Sequence, residues 1–102
     1  MVCQQVVFAN AVCRIEIEPR PYALNGPSFA ALAYVIDGGD AIHPVMFRDG
    51  RRVEVHAQSE ALALNSAVAL LEERFGAITE PAHACQEGAI SPRVAEPLIL
   101  QD

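Results

Sequence analysis

Between Val12 and Glu18 apolar and charged positions alternate, with Cys13, Ile15 and Ile17 on one side and Arg14, Glu16 and Glu18 on the other. A period of two in β-branched residues predicts a half-buried strand. Val6, Val7 and Phe8 extend it through a bulge near Asn10, giving a strand over 5–18. Pro19 and Pro21 are expected to end it, because proline brings no N–H to a ladder.

Residues 20–28 read as a connection, with Asn25-Gly26-Pro27 as its turn signal. The stretch 28–37 is then almost wholly apolar. Phe29, Ala31, Ala33 and Val35 fall on one face, and Ala30, Leu32, Tyr34 and Ile36 on the other. A strand apolar on both faces is a central one, or one whose second face meets a partner. A short strand over 42–48 leads to Arg48-Asp49-Gly50-Arg51, where Asp-Gly signals a type I′ hairpin. Alternation returns over 52–58, with Val53, Val55 and Ala57 inward and Glu54, His56 and Gln58 outward.

The period becomes helical over 60–75. Leu64, Val68, Leu71 and Phe75 form one stripe, Ser59 suits the N-cap, Glu60 sits at the positive end of the helix dipole, and Gly76 suits the position past the last turn. The fold class expected is α+β in two layers: an antiparallel sheet of three to four strands on one main helix. The helix stripe is expected to pack on Ile15, Ile17, Leu32, Tyr34, Val53 and Val55.

These elements make one domain over 1–76. Residues 77–102 are a C-terminal extension in which Pro81, Pro92 and Pro97 rule out one long helix. It is expected to hold short elements or to be partly disordered, with Leu98-Ile99-Leu100 docking on the core or adding a strand.

Composition adjusts this picture in three ways. At 102 residues, 52% hydrophobic and 20% charged, the chain is globular and too short for two domains. Its net charge of −6 is the wrong sign for a nucleic-acid binder and disfavours an anionic membrane surface. All seven basic residues are Arg and Ala is frequent, a bias that fits a GC-rich bacterial genome and weakens the case for any single Arg as a chosen ligand contact. The opening residues lack the basic start and long apolar run of a signal peptide, so a cytoplasmic location is expected.

Candidate chemistry is sparse. Cys3, Cys13 and Cys85 are odd in number and irregularly spaced, which is not a disulfide framework. With His43, His56 and His83 they are the possible soft or imidazole metal ligands, but only His83-Ala84-Cys85 is a close pair. Cys13 reads better as a small core hydrophobe and His56 as a solvated strand residue. Cys85 beside His83 or His56 is the one nucleophile arrangement available. Glu16, Glu18 and Glu54 read as the wet face of a sheet rather than an acid–base set. Arg48, Arg51 and Arg52 read as a solubilising turn paired with Asp49 and Glu54 rather than a phosphate contact. Arg20-Pro21-Tyr22 with Asn25-Gly26 is the most distinctive string, and reads as a stiff crossover rather than a ligand loop. Gly38-Gly39 is a turn, not a nucleotide-binding loop.

In element order, Val12 to Gly76 resembles the β-β-β-α arrangement of HicB-like antitoxins. The string His56-Ala57-Gln58-Ser59-Glu60-Ala61-Leu62 is similar to the point where their last strand runs into a Ser/Thr-acidic helix start. The chain departs from them in lacking a proline–aspartate segment before the third strand. Glu18 to Asp37 also resembles small bacterial domains of unknown function. The antitoxin resemblance implies a tight complex with a small basic protein.

No catalytic or metal residue and no cofactor is assigned. The expected function is a non-enzymatic binding or protein-interaction module, a homodimer or the partner of another protein. A small metal- or thiol-dependent enzyme or sensor, using Cys85 and His83 with His56 or Cys13, is the alternative.

Overall fold

A computed structural model gives the fold; the structure describes residues 2–20, 28–38, 41–85 and 93–100. It is an α+β arrangement, mostly strand. The elements are β1 (Val2–Phe8), β2 (Val12–Arg20), β3 (Ser28–Ile36), β4 (Ala41–Met46), β5 (Glu54–Ala57), α1 (Glu60–Phe75), β6 (Ile78–Ala84), β7 (Arg93–Val94) and β8 (Leu98–Ile99). All eight strands join one sheet in the order β6-β1-β2-β3-β4-β7, with β5 also on β3 and β8 also on β4. The expected three to four strands are thus corrected to eight. The all-antiparallel sheet is corrected to a mixed one, because β7 and β8 run parallel to β4.

Three local causes account for the extra strands. First, the chain does not bulge at Asn10 but reverses there. Phe8 N–H donates to Ala11 O at 2.8 Å, and Val7 pairs with Val12. The expected strand over 5–18 is therefore a two-stranded hairpin. Second, Pro19 lies inside β2, opposite Phe29. Pairing with β1 ends at Ile17, so among the described residues the last part of β2 is paired on one side only, an edge position that proline tolerates. Third, the segment after the helix returns to the sheet. β6 pairs with β1, and the C-terminal residues line β4. Leu98–Ile99 adds a strand, and Leu100, 5% exposed, enters the core while its N–H donates to Met46 O at 2.8 Å.

The Asp49-Gly50 turn differs from the type I′ expected. That type needs positive φ at both central residues, and only Gly50, at φ +89°, has it. Gly50 N–H donates to Phe47 O and Phe47 N–H to Arg51 O, the pattern of a three-residue loop ended by glycine. Past the Met46–Arg52 bridge the two arms part, and β5 pairs with β3 instead of β4.

α1 begins as its sequence predicts: Ser59 Oγ accepts from Leu62 N–H at 3.1 Å. It ends at Gly76, φ +90°, where a Cβ would lie 3.0 Å from the Ala9 side chain. Its fully buried line is Ala63, Ala67 and Leu71; Leu64, Val68 and Phe75 flank that line half-buried. The helix meets Val6, Phe8, Cys13, Ile15, Ile17, Ala31, Ala33, Val45 and Val53 in the main core, with Leu100. Leu32 and Tyr34, expected beneath the helix, form a second buried cluster with Ile42 on the opposite face. Small residues on both sides explain the exchange: Ala63 and Ala67 over Ala31 and Ala33 let helix and sheet approach closely, which leaves the larger side chains of β3 to the far face.

Candidate functional site: the sheet face away from the helix

The sheet face away from the helix carries the second cluster, in which Leu32, Tyr34 and Ile42 are buried, with a more exposed rim around it. Register identifies its residues. Cys3, Gln5 and Val7 of β1 lie beside Glu16, Arg14 and Val12 of β2, and these lie beside Leu32, Tyr34 and Ile36 of β3. Tyr34 and Ile36 lie beside Pro44 and Ile42 of β4, and Leu32 beside Glu54 of β5.

This face divides into two halves. Toward β2 and β5 it is ionic. Arg14 Nε binds Glu16 Oε2 at 2.9 Å. Arg20 Nη2 bridges Glu18 Oε1 and Glu54 Oε1, both at 2.7 Å, and His56 Nε2 stands 3.4 Å from the same Glu54 oxygen. Each carboxylate is occupied by an arginine. The arrangement sets two arginines against three glutamates around the buried Ala30, so each of these three carboxylates has a cationic partner.

Toward β4 the face is apolar. Tyr34, Ile36, Ile42 and Met46 continue onto the added strands through the pairs Ile42–Val94 and Met46–Ile99. Arg52 caps Tyr34, its guanidinium carbon 4.6 Å from the ring centre. At the rim Val94 is 62% and Ile99 41% exposed.

The Arg48–Arg52 turn pairs in part as expected. Arg51 Nε binds Asp49 Oδ2 at 2.6 Å and its backbone N–H donates to Asp49 Oδ1. These bonds hold the Asp49 carboxyl below the usual range. Glu54, however, serves Arg20 rather than this turn. Of the distinctive string, Arg20 is the ionic bridge just described, and 21–27 lies outside the described residues.

The sulfur and imidazole residues do not converge. Cys13 is fully buried on the helix face, where burial pushes its thiol up to about 12. His43 lies between Glu96 O, 2.7 Å from Nδ1, and Asp37 Oδ2, 3.3 Å from Nε2. His56 is on β5, and His83 is exposed on β6 opposite Gln5. Among the described residues no three His, Cys, Asp or Glu side chains gather as a cation site.

Cys3 and Cys85 correct the reading of the cysteines: they form a disulfide, Cα atoms 5.4 Å apart, across 82 positions of sequence. Cys85 is therefore not a free thiol beside His83. Nothing in the spacing of three cysteines marked this pair, because only the return of β6 to β1 brings them together. Among the described residues no helix is long and apolar enough to cross a membrane. No family model matches the chain, and neither the curated proteins nor the solved structures contain a match.

Proposed function

We propose that this chain is a non-enzymatic interaction module that forms a homodimer through the exposed apolar rim, Val94 and Ile99, of the sheet face away from the helix. The observation that carries the reading is the exposure of that rim. Val94 and Ile99 expose large apolar surface in line with Ile42 and Met46, and the carboxylates of the neighbouring ionic half are each paired with an arginine. Exposed apolar residues beside paired charges have the make-up of an interface, in which apolar burial supplies the drive and polar surroundings set the register. A bound thiol pair and a buried third thiol support reading the chain as other than an enzyme.

A cytoplasmic setting remains part of the proposal, and it gives the Cys3–Cys85 bond a meaning. Disulfides in reducing compartments are usually transient and redox-sensing, whereas permanent ones belong to oxidising compartments.

Sedimentation velocity tests the dimer. The wild-type chain is expected at twice its 11.0 kDa mass, and Val94→Asp with Ile99→Asp at the single mass with an unchanged circular dichroism spectrum. A wild-type chain that stays at the single mass at high concentration overturns the homodimer. A second, small basic protein bound to natively captured chain would move the reading to the antitoxin-like partner.

A further inference from the structure

We propose that the Cys3–Cys85 bond is a redox latch. Closed, it holds β6 over the edge of β1; reduced, it releases β6 and leaves β1 as an open edge strand. The inference does not depend on the dimer reading, whose strip lies at the opposite side of the sheet.

Apart from its irregular ladder with β1 and the hydrogen bond that Thr79 Oγ1 donates to Val7 O at 3.3 Å, β6 is lightly held. All seven of its residues are exposed, and among the described residues it pairs with β1 alone. Its register with β1 slips twice, between Gln5 and Val7 and between Val7 and Phe8. The first slip falls at Pro81-Ala82, where proline has no N–H to give. The remaining anchors of the strand lie at its ends. At the start, Ala9 N–H donates to Ala77 O and Asn10 N–H to Phe75 O, both at 2.9 Å. At the finish, the hold is the disulfide with the bond from Cys85 N–H to Cys3 O at 3.1 Å.

The two strands differ as edges. β6, bulged and carrying Glu80 and Pro81, is a blunt outer edge that resists pairing. β1, Val-Cys-Gln-Gln-Val-Val-Phe, has no charge and no proline and pairs in unbroken register with β2. Removing β6 thus exchanges a protected edge for one able to accept another strand.

The chemistry is accessible. Cys3 and Cys85 are only half-buried, so a thiolate can reach the bond. The chain cannot open it itself: Cys13 is on the other face, fully buried and protonated. The reductant is therefore an external dithiol. Its thiolate attacks one cysteine sulfur to form a mixed disulfide, and the other cysteine leaves as a thiolate that takes a proton. The second thiol of the reductant then closes on the first and frees the remaining cysteine. Two electrons and two protons pass to the protein, and the dithiol becomes a disulfide.

Hydrogen exchange read by mass spectrometry on the full chain, before and after dithiothreitol, tests the latch. Peptides covering 2–8 and 78–85 are expected to exchange about tenfold faster after reduction, while those of α1 and β3 keep their protection. Cys85→Ser should show the reduced pattern without reductant. Should that variant fail to fold, reduction and re-oxidation of the wild-type chain gives the same reading. Unchanged protection of β1 and β6 overturns the proposal; so does loss of protection everywhere at once, which would make the bond a global staple instead of a latch.

Discussion

Cys13 shows how a single side chain is read wrongly by its reactivity and rightly by its place. It stands in the core between β1 and β3, beside Val6 and Val35, with no exposed surface. Burial disfavours the thiolate and lifts the pKa from 9.0 to about 12. A raised value means the folded state keeps a proton that the unfolded chain loses. The stabilisation is whole below pH 9.0 and drains away as pH climbs toward about 12. Urea midpoints measured at pH 8 and near pH 11 should fall more for the wild-type chain than for Cys13→Ala, and native Cys13 should resist alkylation at pH 8. Equal falls would place the thiol in a more polar site than its burial indicates.

At the level of elements, the small residues decide how helix and sheet meet. Ala63 and Ala67 are fully buried on α1, and Ala31 and Ala33 face it from β3. Extra bulk at this seam has nowhere to go. Ala67→Leu is expected to cost about 1–3 kcal/mol in chemical denaturation, while Ala61→Leu, on the exposed side, should be near neutral. This seam also marks the limit of what the sequence shows. The helix, its cap at Ser59 and its end at Gly76 were legible because capping and periodicity are local. The two faces of β3 were legible too, but not which one meets the helix: size favours Leu32 and Tyr34 inside, and close approach chose the alanines. Of the strands after the helix, only the short apolar run Leu98-Ile99-Leu100 could be anticipated. β6 is exposed along its whole length and β7 spans two residues, so neither has a pattern to read. A second face of mixed polarity was expected, but with the other residues of β3 on it. Its rim at Val94 and Ile99 and the partnership of Cys3 with Cys85 depend on pairings between distant segments, which no local signal carries.

For the whole molecule, the first and last described strands are structural. Leu100 fills the main core, and the strands before it cover the β4 edge. Leu100→Ala should therefore cost about 2–5 kcal/mol, as at any buried leucine, and a thermal melt unmoved by that change would show the last residues to be dispensable. The pairing of β1 with β6 has a consequence in time. β1 leaves the ribosome before its partner exists, and Val7 awaits Glu80, made about seventy residues later. At roughly 5–20 residues per second that is a delay of about 4–15 s. Throughout it an uncharged, apolar strand has β2 on one side and nothing on the other, so a nascent chain of this protein is a natural client for the chaperones that attend the tunnel exit.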